Sequence, residues 1–158
     1  RNGERLPATL LRERGFKAAF EDHGVSSETA AIIPITITGH DVFEAATDIL
    51  SSADRPTAVM CYNDRMAMGV YSAANALGLK IPEDLSVIGY DNQTVIAEFL
   101  VPFLTTIELP HYEMGDQAVS YLFRHQYPFD AEQILISPKL IIRSSVRSIG
   151  EEEFDDRG

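Results

Sequence analysis

The sequence predicts an α/β fold in which a parallel sheet is flanked by helices on both faces. Two kinds of segment alternate along most of the chain: helices with apolar residues at helical spacing, and short β-branched apolar runs without polar alternation. This alternation is typical of parallel sheets, because each crossover between parallel strands needs a connecting helix. The length of 158 residues is that of one ordinary domain and is enough to bury a core.

The first half of the chain opens with a helix predicted over Thr9–Asp22 and ended by Gly24. The apolar run "AAIIPITIT" (30–38) predicts a strand buried on both faces, with Pro34 at its start or on an edge because proline has no N–H. The next two elements, a helix and a strand, are predicted over residues 42–52 and 57–62.

The second half begins with a helix predicted over Asp64–Leu77, for which Gly78 is the C-terminal cap. Pro82 prevents the helix from continuing. The remaining predicted elements are two strands, a helix and one or two extended segments, over residues 85–90, 103–109, 112–124 and 133–146.

Composition excludes several function classes. Hydrophobic residues make up 45% and charged residues 23%, which is typical of a soluble globular protein. The net charge of −11 repels phosphate backbones, so this segment is not expected to bind nucleic acid itself. No apolar run approaches the ~18 residues of a membrane span, and no export signal opens the chain. We therefore expect a cytoplasmic protein without a membrane partner. Because the sequence lacks an initiator Met, we expect it to be part of a longer protein.

Neither a metal site nor catalysis is predicted. The four histidines show no metal-ligand spacing, and the single cysteine, Cys61, cannot form an internal disulfide and is expected to be a buried strand residue. The sequence contains no G-x-S-x-G elbow, P-loop or G-x-G-x-x-G motif. The protein is thus expected not to be an enzyme and to need no cofactor.

Polar pairs follow two of the predicted strands. Asn63 and Asp64 come directly after the second strand, and Asp91 and Asn92 after the third. The carboxyl ends of parallel strands meet at one edge of a sheet, where ligands bind in this class of fold. The alternative for Asn63 and Asp64 is structural, since both residue types are good helix N-caps.

An Asp, an Asn and an Arg together suit a small molecule with vicinal hydroxyls. Asp accepts hydrogen bonds from hydroxyls, Asn both donates and accepts, and Arg donates two parallel bonds. Arg12, on the first predicted helix, is the candidate arginine. Its alternative interpretation is a solvated surface arginine.

Five motifs follow one another along the chain. They are "RERGF" (12–16), "PTAVMCYNDRMAMGV" (56–70), "GLKIPEDLSVIGYDN" (78–92), "PFLTTIELPHYEMGDQAV" (102–119) and "LIIRSSV" (140–146). In this order and at this spacing they resemble the sensor domain of LacI/GalR-type bacterial transcription regulators, over nearly all of residues 10–146.

The resemblance implies a fold like that of the type I periplasmic binding proteins, of which this chain is mostly the C-terminal subdomain, with a small effector, such as a sugar, a nucleoside or a related metabolite, held between two α/β subdomains. It implies that Arg12, Asn63 and Asp91 contact the effector, with Thr9 and Tyr62 as further candidates. Asp64 is interpreted as a helix cap because of its residue type. The sensor domain is expected over residues 1–146, with residues 111–136 crossing into the other subdomain and an acidic tail over residues 147–158.

The resemblance also implies partners. A homodimer is expected, and its interface residues lie on the helix after Asn63 and in the stretch before "LTTI": Met66, Met68, Tyr71, Phe99 and Leu100. Burial within the same chain is the alternative for the apolar run that ends at Val101. Operator DNA is a partner only through an N-terminal helix-turn-helix domain that this sequence does not contain. The competing function is a solute-binding receptor of a sugar transport system, which an export signal upstream would indicate.

Overall fold

A computed structural model describes residues 7–35, 38–124 and 133–149 of the chain. It divides the chain into two compact units, Arg1–Thr36 and Ile37–Gly158. The acidic tail from residue 150 onward, and residues 125–132 of the expected crossing, lie outside the described residues.

The first unit contains helix α1, Pro7–Asp22, which confirms the predicted helix with a start two residues earlier. Gly24, at φ 70°, ends it as predicted, and Val25 N donates to Phe20 O over 2.9 Å. None of the residues of α1 is buried. A single 3-10 turn, Ser27–Thr29, follows.

The strand predicted over 30–38 is wrong for the residues that the structure describes. Residues 30–35 and 38 have no strand pairing, and Ile33 is 44% exposed; residues 36 and 37 lie outside the described part. Pro34 has no N–H to give to a neighbouring strand, and an apolar run without a partner strand gains nothing from the extended conformation.

The second unit is built from alternating helices and strands. In chain order its elements are α2 (Gly39–Leu50), β1 (Ala58–Met60), α3 (Asp64–Ala76), β2 (Ser86–Asp91), α4 (Thr94–Ala97), β3 (Thr105–Glu108), α5 (His111–Arg124) and β4 (Lys139–Ile141). The predicted α/β fold is confirmed; β1 and β3 are shorter than predicted, β2 has the predicted length shifted by one residue, and one added helical turn, α4, follows β2.

The four strands form one sheet in the order β1-β2-β3-β4. β1, β2 and β3 are parallel, with Met60 opposite Ile88 and Asp91 opposite Glu108. β4 pairs antiparallel with β3, so the predicted parallel sheet has one antiparallel edge strand.

Close packing of α2 on α3 supports the sheet. Thr38 caps α2 by accepting from Asp41 N, and Val42, Ala46 and Leu50 on its apolar face are buried. A Cβ on Gly69 of α3 would lie 2.6 Å from Val42 Cγ1, so the two helices approach closely only because residue 69 is glycine. The largest fully buried side chains of the core are Leu85, Leu104, Val87, Thr106, Asp64 and Ser145.

Ser145 joins the C-terminal segment to the middle of the sheet. Its hydroxyl donates to Val87 O over 2.6 Å and accepts from Thr105 N over 2.8 Å. Val87 N in turn donates to Ser145 O over 2.8 Å. The side chain therefore satisfies main-chain groups on both β2 and β3, which would otherwise be buried without partners.

Candidate ligand-binding site at the carboxyl edge of the sheet

Asn63 lies at the junction of β1 and α3. It is the N-cap of α3, and its Oδ1 accepts from Met66 N over 3.0 Å. The sequence assigned the cap to Asp64, and that assignment is wrong: Asp64 is the first residue inside the helix. Asn63 has the extended backbone of an N-cap, at φ −153° and ψ 172°, and a side-chain oxygen within reach of the third N–H beyond it.

Asp64 is a fully buried carboxylate. Its Oδ1 accepts from Thr106 Oγ1 and its Oδ2 accepts from Gln93 N, each over 2.6 Å. Burial raises the pKa of this carboxyl above its ordinary value of 3.8, and the negative charge of Asp91 acts in the same direction. The hydrogen bonds from Thr106 and Gln93 oppose the shift without cancelling it. Asp64 thus connects α3 to β3 and to the segment after β2.

Asp91 and Asn92 adopt an unusual backbone conformation. Their φ angles are 100° and 51°, and both are outside the region that non-glycine residues ordinarily occupy. Two such residues in succession store strain of ~1–3 kcal/mol each, which persists only where the surroundings impose it. We call residues 91–93 the Asp91 turn. Strained turns of this kind concentrate at binding sites, so the turn is the strongest local sign of function in the described part of the chain.

The side chain of Asn92 fixes the Asp91 turn to β3 and to the C-terminal segment. Its Nδ2 donates to Glu108 Oε1 and its Oδ1 accepts from Arg143 Nη2, each over 2.9 Å. The same Arg143 donates from Nη1 to Leu104 O over 2.8 Å and forms an ion pair with Glu98 at 3.3 Å. The Asn92 amide therefore donates to one element and accepts from another.

The residues that shape this turn were not predicted from the sequence. Thr106, Glu108 and Arg143 lie 14, 16 and 51 positions away from Asn92 along the chain. The signal that could have found Thr106 and Glu108 is the parallel register, which places them beside residues 89 and 91. Nothing in the local sequence of "LIIRSSV" points Arg143 toward Asn92.

Asn63 and Asp91 lie at the carboxyl ends of neighbouring parallel strands. Met60, the last residue of β1, is opposite Ile88; Asn63 lies three residues after the end of β1, and Asp91 is the last residue of β2. Both side chains are half-buried. Tyr62, the other candidate in this unit, is half-buried beside Asn63. Arg12 and Thr9 are half-buried residues of α1 and belong to the first unit.

The predicted interface residues differ in exposure. Phe99 is 81% exposed and Met68 47%, whereas Met66 and Leu100 are half-buried. Tyr71 is buried, and its hydroxyl donates to Pro102 O over 2.9 Å, so its ring contributes to the core of its own chain.

The chemistry available at this edge is that of binding. Asp91 offers acceptor oxygens, and Asn63 offers its Nδ2 donor in addition to the oxygen used for the cap. Burial raises the pKa of the neighbouring Cys61 thiol to about 12, so this thiol is protonated at neutral pH and is a poor nucleophile. Within residues 7–35, 38–124 and 133–149, no cluster of three His, Cys, Asp or Glu residues is arranged to hold a metal ion.

Residues 2–146 match the periplasmic binding protein-like domain. The chain belongs to this family. It is 39% identical over 140 residues to the HTH-type transcriptional repressor PurR of Vibrio vulnificus and to that of Mannheimia succiniciproducens, and the match covers 87% of this chain. The chain spans 42% of the length of each of these repressors.

Solved structures place this periplasmic binding protein-like domain among LacI-family regulators, which confirms the resemblance found in the sequence. A putative LacI-family regulator from Rhizobium etli is 36% identical with a TM-score of 0.75, covering 86% of this chain and 51% of that one. A LacI-family regulator from Enterococcus faecium, solved with bound ribose, is 30% identical with a TM-score of 0.74, covering 88% of this chain and 51% of that one.

In the described part of our chain, no helix is both long and apolar enough to cross a membrane.

Proposed function

We propose that this chain is the effector-binding and dimerisation domain of a LacI-type transcriptional regulator that senses a small sugar-like or nucleoside-like molecule. The observation that carries the proposal is the Asp91 turn, which presents a carboxylate in a strained conformation at the carboxyl edge of parallel strands. Asn63 follows the neighbouring parallel strand β1 at the same edge. The ribose bound to the Enterococcus faecium relative supports a ligand with vicinal hydroxyls.

Asp91, Asn63 and Arg12 are proposed to contact the effector, with Thr9 and Tyr62 as additional contacts. A carboxylate that accepts from two adjacent hydroxyls, an amide that donates and a guanidinium that donates in parallel recognise a furanose or pyranose ring. The binding of operator DNA by the whole protein is proposed to reside in a helix-turn-helix domain outside this chain, because the PurR relatives are HTH-type transcriptional repressors. A regulator of this kind acts in the cytoplasm, where its operator is.

The dimer is proposed to form around the segment after α4. Phe99 and Val101 are 81% and 83% exposed, and Val95 on α4 is 75% exposed. Three large apolar side chains within seven positions form an exposed patch of the kind that marks an interaction surface. Met68 and the half-buried Met66 and Leu100 belong to the same proposed interface.

The alternative function is a solute-binding receptor of a sugar transport system. The two functions differ in what precedes this domain: a helix-turn-helix in a regulator, and an export signal in a receptor. Both bind without turnover. Incubation with ribose and with adenosine should return each compound unchanged, and release of any product would contradict a purely binding function.

Substitution of the proposed contacts tests the site. Asp91→Ala and Arg12→Ala should each weaken effector binding by roughly 10- to 100-fold, because each loses hydrogen bonds to a charged group worth ~1.5–3 kcal/mol. The measurement is titration calorimetry of the full-length protein with ribose and adenosine. Unfolding midpoints should stay near that of the parent protein.

Two variants control for loss of charge alone. Asp54→Ala removes an exposed carboxylate from the second unit, and Arg14→Ala removes an exposed guanidinium from α1. Both should bind as the parent protein does. If Asp91→Ala and Arg12→Ala also bind with parental affinity, the site assignment is wrong.

A further inference from the structure

The main chain of the Asp91 turn is held by two side chains from other elements. Gln93 N donates to Asp64 Oδ2 over 2.6 Å, and Asn92 N donates to Thr106 Oγ1 over 3.4 Å. The two holders are themselves joined, because Thr106 Oγ1 donates to Asp64 Oδ1 over 2.6 Å. Both main-chain N–H groups that follow Asp91 therefore donate to members of the same hydrogen-bonded pair, Asp64 and Thr106.

This pair is deeply enclosed. Asp64 and Thr106 both have no exposed surface, although carboxylates are seldom buried without a cationic partner. Gly89 of β2 leaves the space that they occupy, since a Cβ there would collide with Asp64 Oδ1 and lie 3.2 Å from Thr106 Oγ1. A buried carboxylate with no cationic partner among these contacts is costly for stability, and its hydrogen bonds come from Thr106 of β3, from Gln93 N in the turn and from the backbone of Tyr90 in β2.

We propose that the Asp64–Thr106 pair is a positioning device for the effector site: it holds the Asp91 turn in its strained conformation, so that the Asp91 carboxylate is already placed when the effector arrives. The inference rests on the proposed function, in which Asp91 contacts the effector. Asp64 and Thr106 act only through the turn and are positioning residues, not contacts.

The physical basis is the cost of the backbone conformation. Residues other than glycine at φ 100° and 51° return to more favourable angles unless their neighbours prevent it. Rotation of the turn would break both N–H bonds, so the pair opposes it directly. A site placed before binding loses less entropy on association, and the benefit appears as higher affinity.

Asp64 also begins α3, so the device links two parts of the fold. Gln93 N of the turn donates to the first residue of that helix, so the turn and the start of α3 are held together by one buried carboxylate.

The experiment compares two adjacent threonines of β3 in the full-length protein. Thr106→Val removes the hydroxyl that accepts from Asn92 N, whereas Thr106→Ser keeps it. Thr105→Val is the matched control, because Thr105 is 2% exposed and its hydroxyl accepts from Arg143 N and not from the turn. Thr106→Ala also lacks the hydroxyl and replaces Thr106→Val in the comparison if the latter does not fold.

The first measurement is amide hydrogen exchange at Asn92 and Gln93, which does not depend on the identity of the effector. Thr106→Val should exchange these amides roughly five- to tenfold faster than the parent protein, the factor expected for one lost hydrogen bond. Thr106→Ser and Thr105→Val should leave them at the parental rate. Unchanged exchange in Thr106→Val, or an equal increase in Thr105→Val, would overturn the inference.

The second measurement is affinity for ribose and for adenosine by titration calorimetry. If the parent protein binds either compound, Thr106→Val should bind it roughly tenfold more weakly, while Thr106→Ser and Thr105→Val match the parent protein. If Thr106→Val binds with parental affinity, the positioning role is wrong, and the proposed function is not contradicted. If the parent protein binds neither compound, the proposed ligand class is wrong, and amide exchange still decides whether the pair holds the turn.

Discussion

Asp64 is a carboxylate whose burial disfavours its charged form. Its pKa is raised above 3.8 in the folded state, so the folded chain binds its proton more tightly than the unfolded chain does. The stability that this group contributes is therefore fully present below pH 3.8 and is lost as pH rises through the folded-state pKa. A neutral amide at this position has no such dependence.

Comparison with Asp64→Asn isolates this titration from those of the other carboxylates. The free energy of unfolding of the parent protein, minus that of Asp64→Asn, should decrease as pH rises from about 3.5 to 7. Urea denaturation at a series of pH values measures the difference. A difference that grows with pH would mean that hydrogen bonding to the carboxylate outweighs its burial.

Gly89 makes room for the same carboxylate. Gly89→Ala would place a methyl group against Asp64 Oδ1 and 2.7 Å from Leu104 Cδ2, both of them fully buried side chains. We expect the free energy of unfolding to fall by ~1–3 kcal/mol, as for overpacked cores. Thermal unfolding measures the change.

Gly115→Ala is the control for Gly89→Ala. Gly115 lies within α5, and a Cβ there meets no atom within 4 Å. The substitution should raise stability by ~0.5–1 kcal/mol, because alanine is the better helix former. If both variants lost stability equally, the steric explanation for Gly89 would fail.

At the scale of single elements, Asn63 is the N-cap of α3 and a proposed effector contact, and substitution can separate these two roles. Asn63→Ala removes both the cap and the Nδ2 donor, and should lower the free energy of unfolding by ~1 kcal/mol and weaken effector binding. Asn63→Ser keeps an acceptor oxygen for Met66 N but has no amide donor. It should keep parental stability and bind as weakly as Asn63→Ala.

Thr38→Ala is the matched cap variant on another helix. Thr38 caps α2 by accepting from Asp41 N, and it is not among the proposed effector contacts. Urea denaturation should show a loss of ~1 kcal/mol, and calorimetry should show unchanged affinity. Parental affinity in Asn63→Ser would leave Asn63 with a structural role alone.

Most elements are predictable from sequence because their signals are local. The boundaries of α1 and α3 follow from apolar spacing and from Gly24 and Gly78, whose φ angles are 70° and 71°. β1 and β3 were predicted three residues too long and β2 one residue too early, since pairing, and not propensity, decides where a strand stops. In the failed strand, the described residues 30–35 and 38 have β propensity but no partner strand.

The candidate site was only partly predictable for the same reason. Asn63 and Asp91 could be found from their positions after strands, whereas the cap was given to Asp64, an equally good cap by residue type. The true role of Asp64 depends on Thr106 and Gln93, which lie 42 and 29 positions away. Such contacts leave no trace in local periodicity.

At the scale of the whole molecule, the exposed apolar patch predicts self-association. The full-length protein should sediment as a dimer at micromolar concentration, and Phe99→Glu should shift it toward the monomer, because a charge would be buried at the interface without a partner. Sedimentation velocity measures the distribution. Phe99→Leu keeps an apolar side chain at the same position and should remain dimeric.

A monomeric parent protein at micromolar concentration would contradict the proposed interface. If the parent protein is dimeric and Phe99→Glu sediments in the same way, the interface does not include the segment after α4. The proposal for the effector site would be unaffected.

The hydroxyl of Ser145 has a consequence for biosynthesis. It supplies partners to Val87 and Thr105, which are made 58 and 40 residues earlier. During translation β2 and β3 leave the ribosome while these main-chain groups still lack their partner. The sheet therefore acquires its last buried hydrogen bonds only when residue 145 has emerged, and a ribosome that stalls before that point carries a nascent chain whose core is still open to water.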